Sequence, residues 1–170
     1  MDVESIFLRY SVDKLTQLAE RIEVCLGALT EDQIWARGGE NENSIGNLVL
    51  HLKGNVRQWI VSSLGNNPVP RDRDSEFSAR RGPPAVELAL SLRDTVEQAA
   101  EVISWLDTAR LMRTYDIQNY LVSGVEVVYH VVEHFAEHTG QIIFATKRMT
   151  GKDLGFYAHL GQSGHTKPTP

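Results

Sequence analysis

Between Tyr129 and Gln141 the chain reads Tyr-His-Val-Val-Glu-His-Phe-Ala-Glu-His-Thr-Gly-Gln, so His130, His134 and His138 follow one another at four-residue steps. Residues four apart on a helix are neighbours on one face, and two imidazoles so placed can grip one ion. All three cannot share it, because His130 and His138 would lie about 12 Å apart along the axis. A helical wheel separates the two pairs. With His134 at zero and about 100° per residue, Val127, Val131, Phe135, Ile142, Ala145 and Met149 fall between about +20° and +100°. Glu126, Glu133 and Glu137 fall between about −60° and −100°. His138 sits at about +40°, on the apolar side, and His130 at about −40°, at the polar margin. His134 and His138 are therefore the candidate ligands. His130 belongs to their surroundings or to the surface, and Glu133 and Glu137 read as a solvated face.

A metal site with an open position takes about three protein ligands and a water or substrate. His51 is the third candidate: on its own wheel it borders the stripe of Leu48, Leu52 and Trp59, and it could look into the core from a different helix. Neutral imidazoles suit zinc, nickel, iron or copper rather than magnesium or calcium. His159 and His165 lie near the C-terminus and read as bystanders. The bland alternative for the whole set is core-edge histidines bonded to carbonyls. Two other metal chemistries fail on the sequence. The strings His130-Val-Val-Glu133-His134 and His134-Phe-Ala-Glu137-His138 match an inverted zinc-peptidase motif, but no Glu follows Glu137 to complete it, only Asp153. A di-iron carboxylate bundle needs Glu-x-x-His pairs, and no Glu here has His three residues on.

The elements that must carry these residues are helical. Val3, Ile6, Tyr10, Leu15, Leu18, Ile22, Leu26 and Leu29 recur at mostly three- and four-residue steps, predicting a long first helix. Thr30-Glu-Asp-Gln33 is a capping box for a short turn bearing Trp35, and Ser44 caps a second helix from Ile45 to Ile60. Pro84 suits the first turn of a third helix that runs to Leu106. Ser123-Gly-Val-Glu126 caps a fourth that ends near Thr150 at Gly151. Tyr115 to Tyr120 reads as irregular or extended. The polar connection 65–84 is long for a compact domain and could span a helix end to end, which allows helices two and three to run parallel. The predicted fold class is all-α: a four-helix bundle with an up-down-down-up course and a crossover between helices two and three. Residues 1–151 form the predicted domain, and 152–170 a tail. Arg71, Arg73, Arg80 and Arg81 crowd the connection, either as solvated surface or as a lid holding an anionic substrate near the metal.

Composition narrows the function. The 170 residues include 42% hydrophobic and 23% charged positions, with a net charge of −5. Nucleic-acid binding would need a basic patch, and none is indicated. The single cysteine, Cys25, rules out an intrachain disulfide and reads as a buried thiol. The N-terminus lacks the basic and apolar regions of a signal peptide, and no apolar run reaches the roughly 18 residues of a membrane span. A cytoplasmic protein without membrane partner is expected.

His51 within Ser44-Ile-Gly-Asn-Leu-Val-Leu-His-Leu-Lys-Gly-Asn, followed on the fourth helix by His134-Phe-Ala-Glu-His138-Thr-Gly-Gln-Ile, resembles the pattern of the DinB/YfiT-like superfamily. The resemblance runs from the first helix to Gly151. Thr139 departs from it, since many members carry Arg after the last histidine. The resemblance implies a bundle with a parallel middle pair, a divalent metal, often zinc or nickel, on His51, His134 and His138, and homodimers. Characterised members include transferases and isomerases using mycothiol, bacillithiol or glutathione. Others are described as metal-dependent hydrolases. A small-molecule transferase using a low-molecular-weight thiol is the first expectation. In it, a coordinated thiol would be held as thiolate. A hydrolase is the alternative, but it needs a base beside the metal-bound water, and Glu133 and Glu137 face the wrong way. A non-enzymatic metal-binding or stress-response bundle is the third reading.

Overall fold

The computed structural model describes residues 2–161 and 169. Helix α1 spans Val3–Gly27, opened by Asp2, whose carboxylate accepts the Ser5 N–H at 2.8 Å. A reciprocal cap of Thr30 and Gln33 starts the short α2, Glu31–Trp35. Ser44 and Asn47 form the same device at the head of α3, Ile45–Val56. The connection 65–84 contains a further short helix, α4 (Arg73–Ser78), and leads to α5, Ala85–Ser104. After α6 (Thr108–Met112) come strands β1 (Thr114–Ile117) and β2 (Tyr120–Ser123). Helix α7, Gly124–Thr150, is capped by Ser123 with Glu126 and closed by Gly151 at φ 65°. In that left-handed conformation glycine carries no steric penalty.

Side-chain contacts at the helix ends fix their directions. Trp35, beyond the end of α1, packs against Gly46 at the start of α3 and Gly82 just before α5, closer than any Cβ would permit. The heads of α3 and α5 therefore lie at one end of the bundle. At the other end Gly65 approaches Val102, so the two helices run parallel. Arg93 of α5 pairs with Glu23 of α1, and Thr108 with Glu4, which makes α1 antiparallel to α5. His51 and Trp59 of the second long helix meet His134 and His130 of α7 in reverse order, so these two are also antiparallel. The course is up-down-down-up, a four-helix bundle with the crossover in 65–84. Its core is filled by fully buried Leu15, Ile22, Leu52, Leu92, Ile103 and Phe135.

Three local features go beyond the periodicity. Helix α3 does not stop at Val56 but continues as a π-helical segment, Arg57–Leu64. Such widened turns concentrate at functional sites. Residues 114–123 form a hairpin whose two turn residues, Gln118 and Asn119, both have positive φ, 55° and 66°. That conformation matches the twist of paired strands, and Asn tolerates it better than most residues. Pro84 stands at the N-cap of α5 rather than inside its first turn, its fixed φ of −65° leading into the helix.

Candidate metal centre

The sequence places His51 on α3, and His134 and His138 on α7, and the fold brings all three together. One nitrogen from each lies within 4.8 Å of the others, an arrangement that could hold a metal ion. His51 Nε2 and His134 Nε2 stand 2.8 Å apart. Two imidazole nitrogens this close require something positive between them: a proton carried by one ring, or a cation bound to both. The rings of His134 and His138 meet edge to face with centroids 4.4 Å apart. A set of three neutral nitrogen donors fits a transition metal with a position left open.

Burial disfavours the charged form of two of the donors, His134 and His138. Loss of solvation, helped by the neighbouring imidazoles of His138, His51 and His130 and by Arg71, pushes His134 down from 6.5 to about 3. Burial also lowers His138, against the hydrogen bond to Gln141, which acts the other way. His134 and His138 are therefore uncharged at neutral pH, and each ring keeps one nitrogen able to bind an ion.

Each outer ligand is held by a partner. Gln141 Oε1 lies 3.0 Å from His138 Nδ1, so that nitrogen donates its N–H and leaves Nε2 for the site. On the opposite side Glu76, in α4, is only 7% exposed and sets its Oε2 3.0 Å from His51 Nδ1. Arg71 grips the same carboxylate with Nε on Oε1 and Nη2 on Oε2, both at 2.8 Å. Arg71 Nη2 also comes within 3.1 Å of His51 Nδ1. The carboxylate decides that contact: it accepts from both neighbours, so His51 carries its proton on Nδ1 and a lone pair on Nε2. Burial alone would raise the Glu76 pKa, but hydrogen bonds from Arg71 and His51 and their charges outweigh it, and the group is held below its usual range. Gly54 makes room for this clamp. A Cβ there would collide with Glu76 Oε1 and come within 2.8 Å of Arg71 Nε.

His130 is not part of the ligand group. It meets the Trp59 ring at 4.2 Å with a 46° tilt and stacks on His134 at 5.5 Å. With His51 and His134 these rings line a cavity of about 450 Å³, completed by Tyr120, Val122, Gln118 and Arg73 among others. Glu133 and Glu137 are exposed, as the wheel places them. His159 lies in a 3₁₀ turn beside Arg21 and Phe156, on another face, and His165 lies outside the described residues. Of the four crowded arginines, Arg71 is committed to Glu76 and to Gln58, while Arg80 donates to the carbonyls of Phe77 and Ser78. Arg81 borders a separate cavity with Trp35 and Pro84. Arg73 alone of the other three joins Arg71 at the histidine cavity. The clamp on His51 was the functional element that the sequence reading missed.

A helical bundle of this course with three histidines converging from two helices defines the class, a DinB-like fold with a candidate metal centre. The chain belongs to the family described as "Protein of unknown function (DUF1572)", whose model matches residues 2–158. This is a DinB-like family, within the DinB/YfiT-like superfamily. Among solved structures, a conserved protein from Enterococcus faecalis is similar with a TM-score of 0.74 and 16% identity, over 89% of this chain and 99% of that one. A DinB-like protein from Bacillus cereus is similar with a TM-score of 0.64 and 17% identity, over 82% of this chain and 89% of that one. At these identities the likeness is one of fold. No curated protein matches the chain.

Proposed function

We propose that His51, His134 and His138 hold one divalent transition-metal ion, zinc or nickel, and that the site acts on small molecules as a transferase using a low-molecular-weight thiol. The observation that carries this reading is the 2.8 Å approach of two imidazole nitrogens, with a third within 4.8 Å, beside a cavity of small-molecule size lined by His51 and His134. When bound, the ion would hold a thiol's sulfur as thiolate. The chain's own residues do the rest. Glu76 and Gln141 keep two rings turned so that their free nitrogens converge, and Trp59, His130 and Tyr120 supply an aromatic wall.

Thiol chemistry is preferred over hydrolysis because, among the described residues, both carboxylates that reach the site already accept hydrogen bonds. Glu76 is taken by Arg71 and His51, and Glu126, which lines the cavity, is bonded to the Ser123 N–H and hydroxyl. A non-enzymatic metal-binding bundle is the outcome if no small molecule reaches the ion. With this reading we propose a cytoplasmic homodimer. No described helix is long and apolar enough to cross a membrane. Light scattering in solution checks the dimer.

Cobalt substitution tests the site. We expect one Co²⁺ per chain with a visible spectrum of low coordination number, and a sulfur-to-cobalt charge-transfer band on adding a thiol. Cobalt bound with no response to any thiol would overturn the transferase reading. Failure to bind cobalt, zinc or nickel would overturn the metal site itself.

A further inference from the structure

The charged groups around the histidine cavity can be accounted for one by one. Arg71 forms a two-pronged pair with Glu76, so its charge is balanced inside the wall. Glu126 is bonded to Ser123 in the cap of α7. Arg73 is different. It stands exposed on α4, lines the cavity, and lays its guanidinium over the Phe77 ring at 4.9 Å. Among the described residues it forms no ion pair, since the pairs found there involve Arg9, Arg71, Arg93 and His51. The Phe77 ring in turn touches the His51 ring at 4.6 Å, so a single aromatic side chain separates Arg73 from a ligand histidine.

Glu126 keeps its negative charge in the cap and offsets one positive charge of the wall, so a surplus comes from the donor set. Three neutral imidazoles cancel none of a divalent ion's charge, and no carboxylate belongs to the group. The cavity that Arg73 shares with His51 and His134 has a flat, weakly polar part of its wall: Trp59 and His130 in mutual contact, with Tyr120 and Val122. A molecule suited to this cavity has an electron-rich donor at one end, a planar or apolar middle, and a negative group at the other end.

We propose that the cavity selects a small molecule carrying a carboxylate or similar anion remote from its metal-binding atom, and that Arg73 is the specificity residue that receives that anion. This rests on the metal-dependent thiol reading above and adds the character of the far end of the ligand. Arg71 cannot take the role without releasing Glu76 and, with it, the orientation of His51. Arg80 donates to backbone carbonyls of its own connection, and Arg81 lines a different cavity. Arg73 gives up no existing ion pair on binding. Its planar guanidinium offers a two-pronged fit to a carboxylate while still resting on Phe77.

The test uses the full chain loaded with Co²⁺ and two probes, 4-mercaptobenzoate and benzenethiol. They share sulfur and ring and differ in the distal carboxylate. Titrations follow the charge-transfer band, on the unaltered protein and on Arg73→Gln and Arg73→Lys. The unaltered protein should bind 4-mercaptobenzoate at least about tenfold more tightly than benzenethiol, the scale of one charge-assisted contact. Arg73→Gln should bring the two within about twofold, and Arg73→Lys should restore part of the preference. Cobalt stoichiometry should be unchanged in both variants, because Arg73 touches no ligand nitrogen. Equal binding of the two probes by the unaltered protein would overturn the proposal, and so would a preference that survives Arg73→Gln. Either result leaves the metal-thiol reading standing. Cobalt bound with no band from either probe would instead remove that reading and this proposal with it.

Discussion

Two connections reach the histidine cavity, and they are built on opposite principles. The first, between the π-helical end of the second long helix and α5, carries Arg71, Glu76 and Phe77. Its contact with the site runs through a buried carboxylate that accepts from both Arg71 and His51. The second, between α5 and α7, is the β-hairpin. It holds itself together by its own ladder, anchors Ile117 in the core and shows other side chains to solvent, with Tyr120 63% and Leu121 75% exposed. One neutral hydrogen bond runs from Gln118 to Gln58 on the π-helical segment, whose Oε1 also accepts from Arg71 of the first connection. Charge-assisted bonds away from water are roughly twice as strong as neutral ones, and leaving one partner behind is costly. The first connection is thus part of the ligand geometry, whereas the second borders the space in which a small molecule would sit.

Replacing Glu76 by Gln should break this contrast most severely. The amide keeps the shape but offers one acceptor in place of two charged oxygens. Metal affinity should fall about 10- to 100-fold, the usual cost of losing an outer partner of a ligand histidine. Arg71 loses its counter-charge, and folding stability should drop by about 1–3 kcal/mol in urea unfolding. Unchanged metal affinity in Glu76→Gln would mean that the clamp does not orient His51.

Gly54→Ala sharpens the same point on two readouts, stability and metal affinity. In an ordinary helix interior the change adds about 1 kcal/mol of helix stability. Here the new methyl collides with Glu76, so metal affinity should fall by about tenfold, as for a weakened outer partner. A variant that gains stability and keeps its affinity would show that the first connection need not approach α3 so closely.

Much of this was legible beforehand for physical reasons. The caps at Thr30, Ser44 and Ser123 depend on residues three apart, so sequence spacing alone reveals them. The wheel put His134 and His138 toward the core side and Glu133 and Glu137 outward because a regular helix repeats its geometry. The clamp left no such trace. His51 and Glu76 are 25 positions apart, and nothing periodic links a charged residue in a polar connection to a helix it has yet to meet. A glycine in an apolar helix was the available hint, since Gly54 has no reason of its own to sit there. The hairpin was obscured by Gln118-Asn119, which stands where the familiar turn signal would be Asn-Gly. The π-helical segment has no periodic signature distinct from the helix it continues.

The smallest effect belongs to the hairpin. Gln118→Ala removes one neutral hydrogen bond at an exposed position and should shift stability by no more than about 1 kcal/mol. Metal affinity should stay within about threefold, less than half a decade. A loss as large as that of Glu76→Gln would erase the distinction between the two connections.

The central claim is that His51, His134 and His138 together hold one metal ion. Its most direct test is metal content and Co²⁺ titration of the purified chain beside His51→Ala, His134→Ala, His138→Ala and His130→Ala. The account predicts one ion per chain, lost in each of the first three variants and kept in His130→Ala. Retention by the first three, or loss in His130→Ala alone, would contradict it.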